Sequence, residues 1–142
     1  MKKAVLFLSF VLCFAYSAVS QDVMSMLDLV LQEVNASCPM QMDEEGTVMN
    51  RLVDDGKNII FDFTVSDDMF NEMNNNQAIT KDFIKETWIE GFREMAKDEG
   101  FAAILTIIQM SNKGLDLKFR PTTTNKAIDV YITNEEVGSI LP

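Results

Sequence analysis

GTVMNRLVDDGKNIIFDFTV, residues 46–65, decides the fold. Two runs that mix apolar and polar residues, TVMNRLV (47–53) and NIIFDFTV (58–65), flank Asp54-Asp55-Gly56-Lys57. An Asp-Gly pair between two such runs signals a tight hairpin, because both centres of its turn need positive φ. A two-residue turn at Asp55-Gly56 sets Asp54 against Lys57, Leu52 against Ile59, Asn50 against Phe61 and Val48 against Phe63. One face then carries Val48, Leu52, Ile59, Phe61, Phe63 and Val65, and this is the core side. The other carries Met49, Arg51, Val53, Ile60, Asp62 and Thr64.

A second hairpin closes the chain. Leu115, Leu117 and Phe119 alternate with Asp116, Lys118 and Arg120; after a polar connection, Ile128, Val130 and Ile132 alternate with Asp129, Tyr131 and Thr133. Helices fill the rest. Val23, Met24, Met26, Leu27, Val30, Leu31 and Val34 form one apolar stripe over residues 22–36. Ser66-Asp67-Asp68 caps a short helix that the run Asn74-Asn75-Asn76 breaks. A longer helix is expected over 79–98, with Ile84, Trp88, Phe92 and Met95 along one side. FAAILTIIQM (101–110) is apolar nearly all round, as a buried helix is, and too short to span a bilayer. Asn134-Glu135-Glu136 starts a terminal helix. The order α-ββ-α-α-ββ-α predicts an α+β fold: a four-stranded antiparallel sheet from two hairpins, with helices packed on one face.

Composition narrows the chemistry. The first 20 residues, MKKAVLFLSFVLCFAYSAVS, read as a signal peptide: Lys2 and Lys3, an apolar run from Ala4 to Ala15 broken only by Ser9, then small residues at Ala18-Val19-Ser20. Cys13 lacks the small residues that precede a lipidation site. Cleavage leaves residues 21–142 as a single domain that is secreted or periplasmic. Loss of the two lysines leaves 10 basic and 22 acidic side chains, a net charge of −12. Such a surface repels nucleic acid and anionic membranes. Histidine is absent. That removes the usual Ser-His and Cys-His nucleophiles, the commonest zinc ligand and the neutral-pH proton shuttle. Cys38 is then the lone thiol and has no partner within its own chain for a disulfide.

The chain resembles a group of small, uncharacterised secreted proteins of Bacteroidota. The resemblance rests on a lysine-started signal, a short helix before "NASCPMQM", the strands of "GTVMNRLVDDGKNIIFDFTV", and the closing "NKGLDLKFRPTTTNKAIDVYITNEEVGSIL". It implies export and an α+β domain. It brings no activity, ligand or catalytic residue.

Several constellations are candidates. Cys38, Met40 and Met42 offer soft sulfur ligands of the kind Cu(I) prefers, but free Cys and Met are also common core fillers. No base lies near Cys38 to activate it. Asn35-Ala36-Ser37 fits the N-glycosylation pattern, which matters only in a eukaryote. The outer sheet face gathers Met49, Arg51, Val53, Ile60, Lys118, Arg120 and Tyr131, a mixture that interfaces enrich. Phe61, Trp88 and Phe92 would wall a pocket between the sheet and helix 79–98. The leading expectation is a non-catalytic binding protein acting through the outer sheet face or a sheet edge, with a protein or a second copy of itself as partner. Binding of a small apolar ligand in the pocket comes second, and a carboxylate-based hydrolase third. No cofactor is implied, and no resident metal.

Overall fold

The computed structural model describes residues 22–142; the expected signal peptide lies outside the described residues. In chain order the elements are α1 (Val23–Ala36), β1 (Met40–Gln41), β2 (Val48–Asp54), β3 (Asn58–Val65), α2 (Asp67–Asn75), α3 (Lys81–Met95), α4 (Glu99–Met110), β4 (Gly114–Pro121), β5 (Ile128–Ile132) and α5 (Asn134–Ile140).

Local chemistry explains where the helices start. Asp22, Ser66, Thr80, Asp98 and Thr133 each accept a hydrogen bond from a backbone N–H of the first turn. Thr133 and Glu136 form a reciprocal capping box, satisfying two otherwise orphaned donors. The helix expected over 79–98 is shorter, because Thr80 caps it and the chain turns at Ala96. Asp98 then starts α4, whose buried residues run from Gly100 to Ile108.

The sheet has five strands, ordered β1-β2-β3-β4-β5, and it is mixed where an antiparallel four-stranded sheet was expected. Both hairpins form, but β3 and β4 run parallel, with Phe61 beside Leu117 and Phe63 beside Phe119. The physical reason is the connection. Three helices carry the chain from the end of β3 back to the level of its start, so that Gly114 lies beside Asn58. Parallel neighbours require such a crossover. The fifth strand is Met40–Gln41, which pairs antiparallel with the start of β2.

The first hairpin differs in two details. Its loop has four residues, with Asp54 opposite Ile59 and Asp55 N–H donating to the Asn58 carbonyl. Only Gly56 takes positive φ, and the Asp55 carboxylate accepts from the backbone of Lys57 and Asn58. Leu52 therefore faces Phe61 instead of Ile59, a shift of two that preserves the faces. The register then slips by one between Met49 and Arg51. The extra residue, Asn50, donates its amide to Thr64 Oγ1. Beyond this bulge the faces exchange. Met49 turns into the core at 5% exposure, and Val48 becomes half-buried. Met49 therefore does not belong to the outer face.

One continuous apolar core lies between the sheet and the helices. At its centre six aromatic rings touch in sequence: Phe61, Phe63, Phe119, Trp88, Phe92 and Phe101. The α1 helix is pinned to the outer strand by Asn35. Its side-chain amide donates to the Leu52 carbonyl at 2.8 Å, and its oxygen accepts from Leu52 N–H at 2.7 Å. One side chain thus fills the place of a neighbouring strand. Asn35→Ala leaves both backbone groups unpaired. It should cost about 1–2 kcal/mol, read as a lower urea midpoint with an unchanged slope.

Candidate functional site

An open cleft of about 460 Å3 lies between α2, α3 and the β1–β2 connection. This falls within the roughly 300–1,000 Å3 typical of small-molecule sites. Four methionines line it. Met69 and Met73 stand one helical turn apart on α2, Met95 closes the end of α3, and Met42 comes from the connection after β1. Trp88 and Phe92 from α3, with Val65 and Phe119 from the sheet, form the aromatic and aliphatic wall. Gly91 keeps one side open: a Cβ there would meet nothing within 4 Å. Each element has a local reason for its place. Ser66 starts α2 immediately after β3, which points Met69 back over Val65. Thr47 donates its hydroxyl to Met69 Sδ at 3.9 Å, linking α2 to the β1–β2 connection.

The cleft is charged on one side. Asp43 and Glu45 line it, and no lysine or arginine does. One carboxylate oxygen of Asp43 is committed to the connection itself, accepting from the backbone N–H groups of Glu45 and Thr47 at 2.9 Å. Beneath the cleft lies a separate apolar void of about 30 Å3, against Met40, Met49 and Phe61. That is room for about one water, but the walls offer it no polar partner, so it stays dry. Met42, Phe92 and Met95 belong to both linings and form the partition between them.

The structure distributes the sequence candidates unevenly. Trp88 and Phe92 meet in the cleft, whereas Phe61 lines the void below it. Met40 and Met42 pack on the core. Cys38 packs there too; its half-buried thiol lies 3.4 Å from the Val34 carbonyl, to which it donates, and burial pushes it up from its ordinary value. Among the described residues, no three carboxylates or thiols gather where a metal ion could be held. Met69 and Met73 were not singled out from the sequence. The spacing of Met69 and Met73 was visible there, but nothing said that α2 would lie across α3.

The outer sheet face turns its charges on itself. Asp62 lies between Arg51 at 3.4 Å and Arg120 at 3.5 Å, and Lys118 sits 3.3 Å from Asp129. Val53 and Ile60 are half-buried there, and Tyr131 is exposed. Asp116, 3% exposed, lies against Asp129. Desolvation, the contact with Asp129 and the repulsion between the two acids push Asp116 up to about 7. The two carboxyls touch, which leaves no room between them for the sugar and water that two-carboxylate hydrolysis requires.

Comparison with known proteins adds the fold and little more. No family model matches this chain, and no curated protein sequence does. A solved structure does. It is the crystal structure of "a putative secreted protein (PA3611)" from Pseudomonas aeruginosa, with a TM-score of 0.60 and 16% identity, over 81% of this chain and 92% of that one. The likeness is one of fold, and it places this chain in the α+β class. No helix among the described residues is long and apolar enough to cross a membrane.

Proposed function

We propose that this is an exported binding protein whose ligand is a slender amphiphile with an apolar chain and a cationic head, held in the Met–Trp cleft. Export rests on the signal-like residues 1–20 and on the resemblance to secreted proteins. The carrying observation is the lining of the cleft: four methionines and Trp88 on its walls, two carboxylates and no cation beside them. Methionine has three rotatable bonds and a polarizable sulfur, so such walls reshape around flexible apolar chains. Met42 and Met95 also separate the cleft from the void below, and their rotation would lengthen the space open to a chain. Asp43 and Glu45 favour a positive head, and the net charge of the chain enriches cations near its surface.

Trp88 is the only tryptophan, so its emission reports on the cleft. Titration with a submicellar alkyltrimethylammonium should shift that emission to the blue and saturate. An alkyl sulfate of equal chain length should bind at least about tenfold more weakly, a difference of roughly 1.4 kcal/mol. Gly91→Leu fills the cleft from the exposed side of α3. It should abolish binding while stabilising the helix by about 0.5–1 kcal/mol. Equal affinity for both head groups, or full binding by Gly91→Leu, would refute the assignment.

A further inference from the structure

The two edges of the sheet are treated differently. The β2 edge is closed: Met40–Gln41 pairs with Val48 and Met49, and the Asn35 amide occupies both backbone groups of Leu52. The opposite edge, β5, carries no such cover. Among the described residues, no hydrogen bond other than those with β4 reaches the backbone of residues 128–132. The strand has no proline and no bulge, two of the devices that keep an edge from pairing, and its one charge, Asp129, is paired with Lys118 of β4. Its most exposed side chain is Tyr131, an aromatic at 55% exposure.

We infer that the β5 edge pairs antiparallel with the β5 edge of a second copy, making a two-fold dimer with one continuous ten-stranded sheet centred on Val130. The register follows from the pleat. A two-fold axis normal to the sheet keeps both helical layers on one side. Residues opposite one another must then share a face, so the axis passes through a residue and not between two. Centring on Asp129 would place two carboxylates face to face. Centring on Tyr131 would oppose the two phenols and leave Asp129 against Thr133. Centring on Val130 sets Tyr131 opposite Asp129 of the second copy, twice, while Ile128 meets Ile132 on the helical side. Each phenol then has a carboxylate to donate to, and Tyr–Asp cross-strand pairs of this kind add to the ladder. Asp116 and Asp129 also push Tyr131 up from its ordinary value, which keeps it a donor. The acidic surfaces of the two copies repel, so the association strengthens as salt is raised.

Sedimentation of the purified protein in reductant tests this, since reductant removes any Cys38 bridge. A monomer–dimer equilibrium is expected that tightens with salt. Hydrogen exchange should slow with protein concentration at alternate amides of residues 128–132 and at no other strand. Tyr131→Asp opposes two carboxylates in each pair and should weaken the dimer at least about tenfold. Exchanging the two residues, with Asp129→Tyr and Tyr131→Asp together, rebuilds the complementarity and should restore it. Because a further acid beside Asp116 could unsettle the fold, Tyr131→Thr is the neutral variant and should also weaken association. A monomer at all concentrations, protection outside residues 128–132, or a dimer indifferent to Tyr131 would overturn the inference.

Discussion

Phe63→Ala should remove about 4 kcal/mol of stability, within the roughly 3–5 kcal/mol range for deleting a buried aromatic ring. Phe63 is fully buried on the central strand β3. Its ring stacks on Phe119 of β4 at 5.4 Å with a 14° interplanar angle, and meets Trp88 of α3 at 4.8 Å. The side chain therefore joins the parallel strand pair to α3, the longest helix among the described residues. The rings around it are apolar, so nothing replaces the lost contacts except partial collapse. Trp88 and Phe119 both line the cleft, and loss of the ring beneath them should loosen its wall. Two readings check this: the urea midpoint, and a red shift of Trp88 emission before unfolding begins. Phe63→Leu should lose much less. A loss below about 1.5 kcal/mol, the cost of a tolerated core swap, with unchanged emission would mean that the aromatic cluster does not organise the fold.

The parts of this architecture that were legible in the sequence depend on neighbours along the chain. Helix starts are local: Ser66 with Asp67-Asp68 marked one, and Asn134 with Glu135-Glu136 marked another, although the capping side chain there is Thr133, one residue earlier. Alternation correctly assigned Leu115, Leu117 and Phe119 to the core because period two survives any even change of register. Features that arise between distant segments were not legible. The side-chain pattern of β3 and β4 is the same whether they run parallel or antiparallel, so their direction is fixed only when three helices have been laid between them. The bulge at Asn50 leaves no period of its own, and it alone moves Met49 from one face to the other. The cleft was half readable. Trp88 and Phe92 share a helical face, but the methionines of α2 join them only through the crossing of two helices. Asn35 looked like a modification signal, yet it serves as a substitute strand, a role that depends on residue 52.

Asp116→Asn should remove the loss of stability that ionisation of Asp116 is expected to bring as pH rises from about 4 to 7. Asp116 sits on the outer sheet face with Ile60 and Tyr131 beside it on the neighbouring strands. Its burial is the first cause of the upward displacement to about 7 from the ordinary 3.8, followed by the hydrogen bond and charge of Asp129; Lys118 opposes them weakly. Below about pH 4 the carboxyl is protonated whether the chain is folded or not, and it favours neither state. From there to about pH 7 the unfolded chain ionises while the folded one keeps its proton. The folded state binds more protons across that window, so stability falls as pH rises. Above it the folded protein carries an ionised, desolvated carboxylate beside a second one. The amide that replaces the carboxyl cannot ionise, but it can still donate to Asp129. At pH 8 the variant should be the more stable by on the order of 2–4 kcal/mol, at about 1.4 kcal/mol per unit of displacement. Asp22, Asp55, Asp67 and Glu136 are all held below their ordinary values, and their contributions are lost as pH falls through the acid range. They slope the other way and are common to both proteins, so the difference between the two urea profiles isolates Asp116. Parallel profiles from pH 4.5 to 8 would show that Asp116 ionises as an ordinary carboxylate and that the acidic pair on the outer face is solvated.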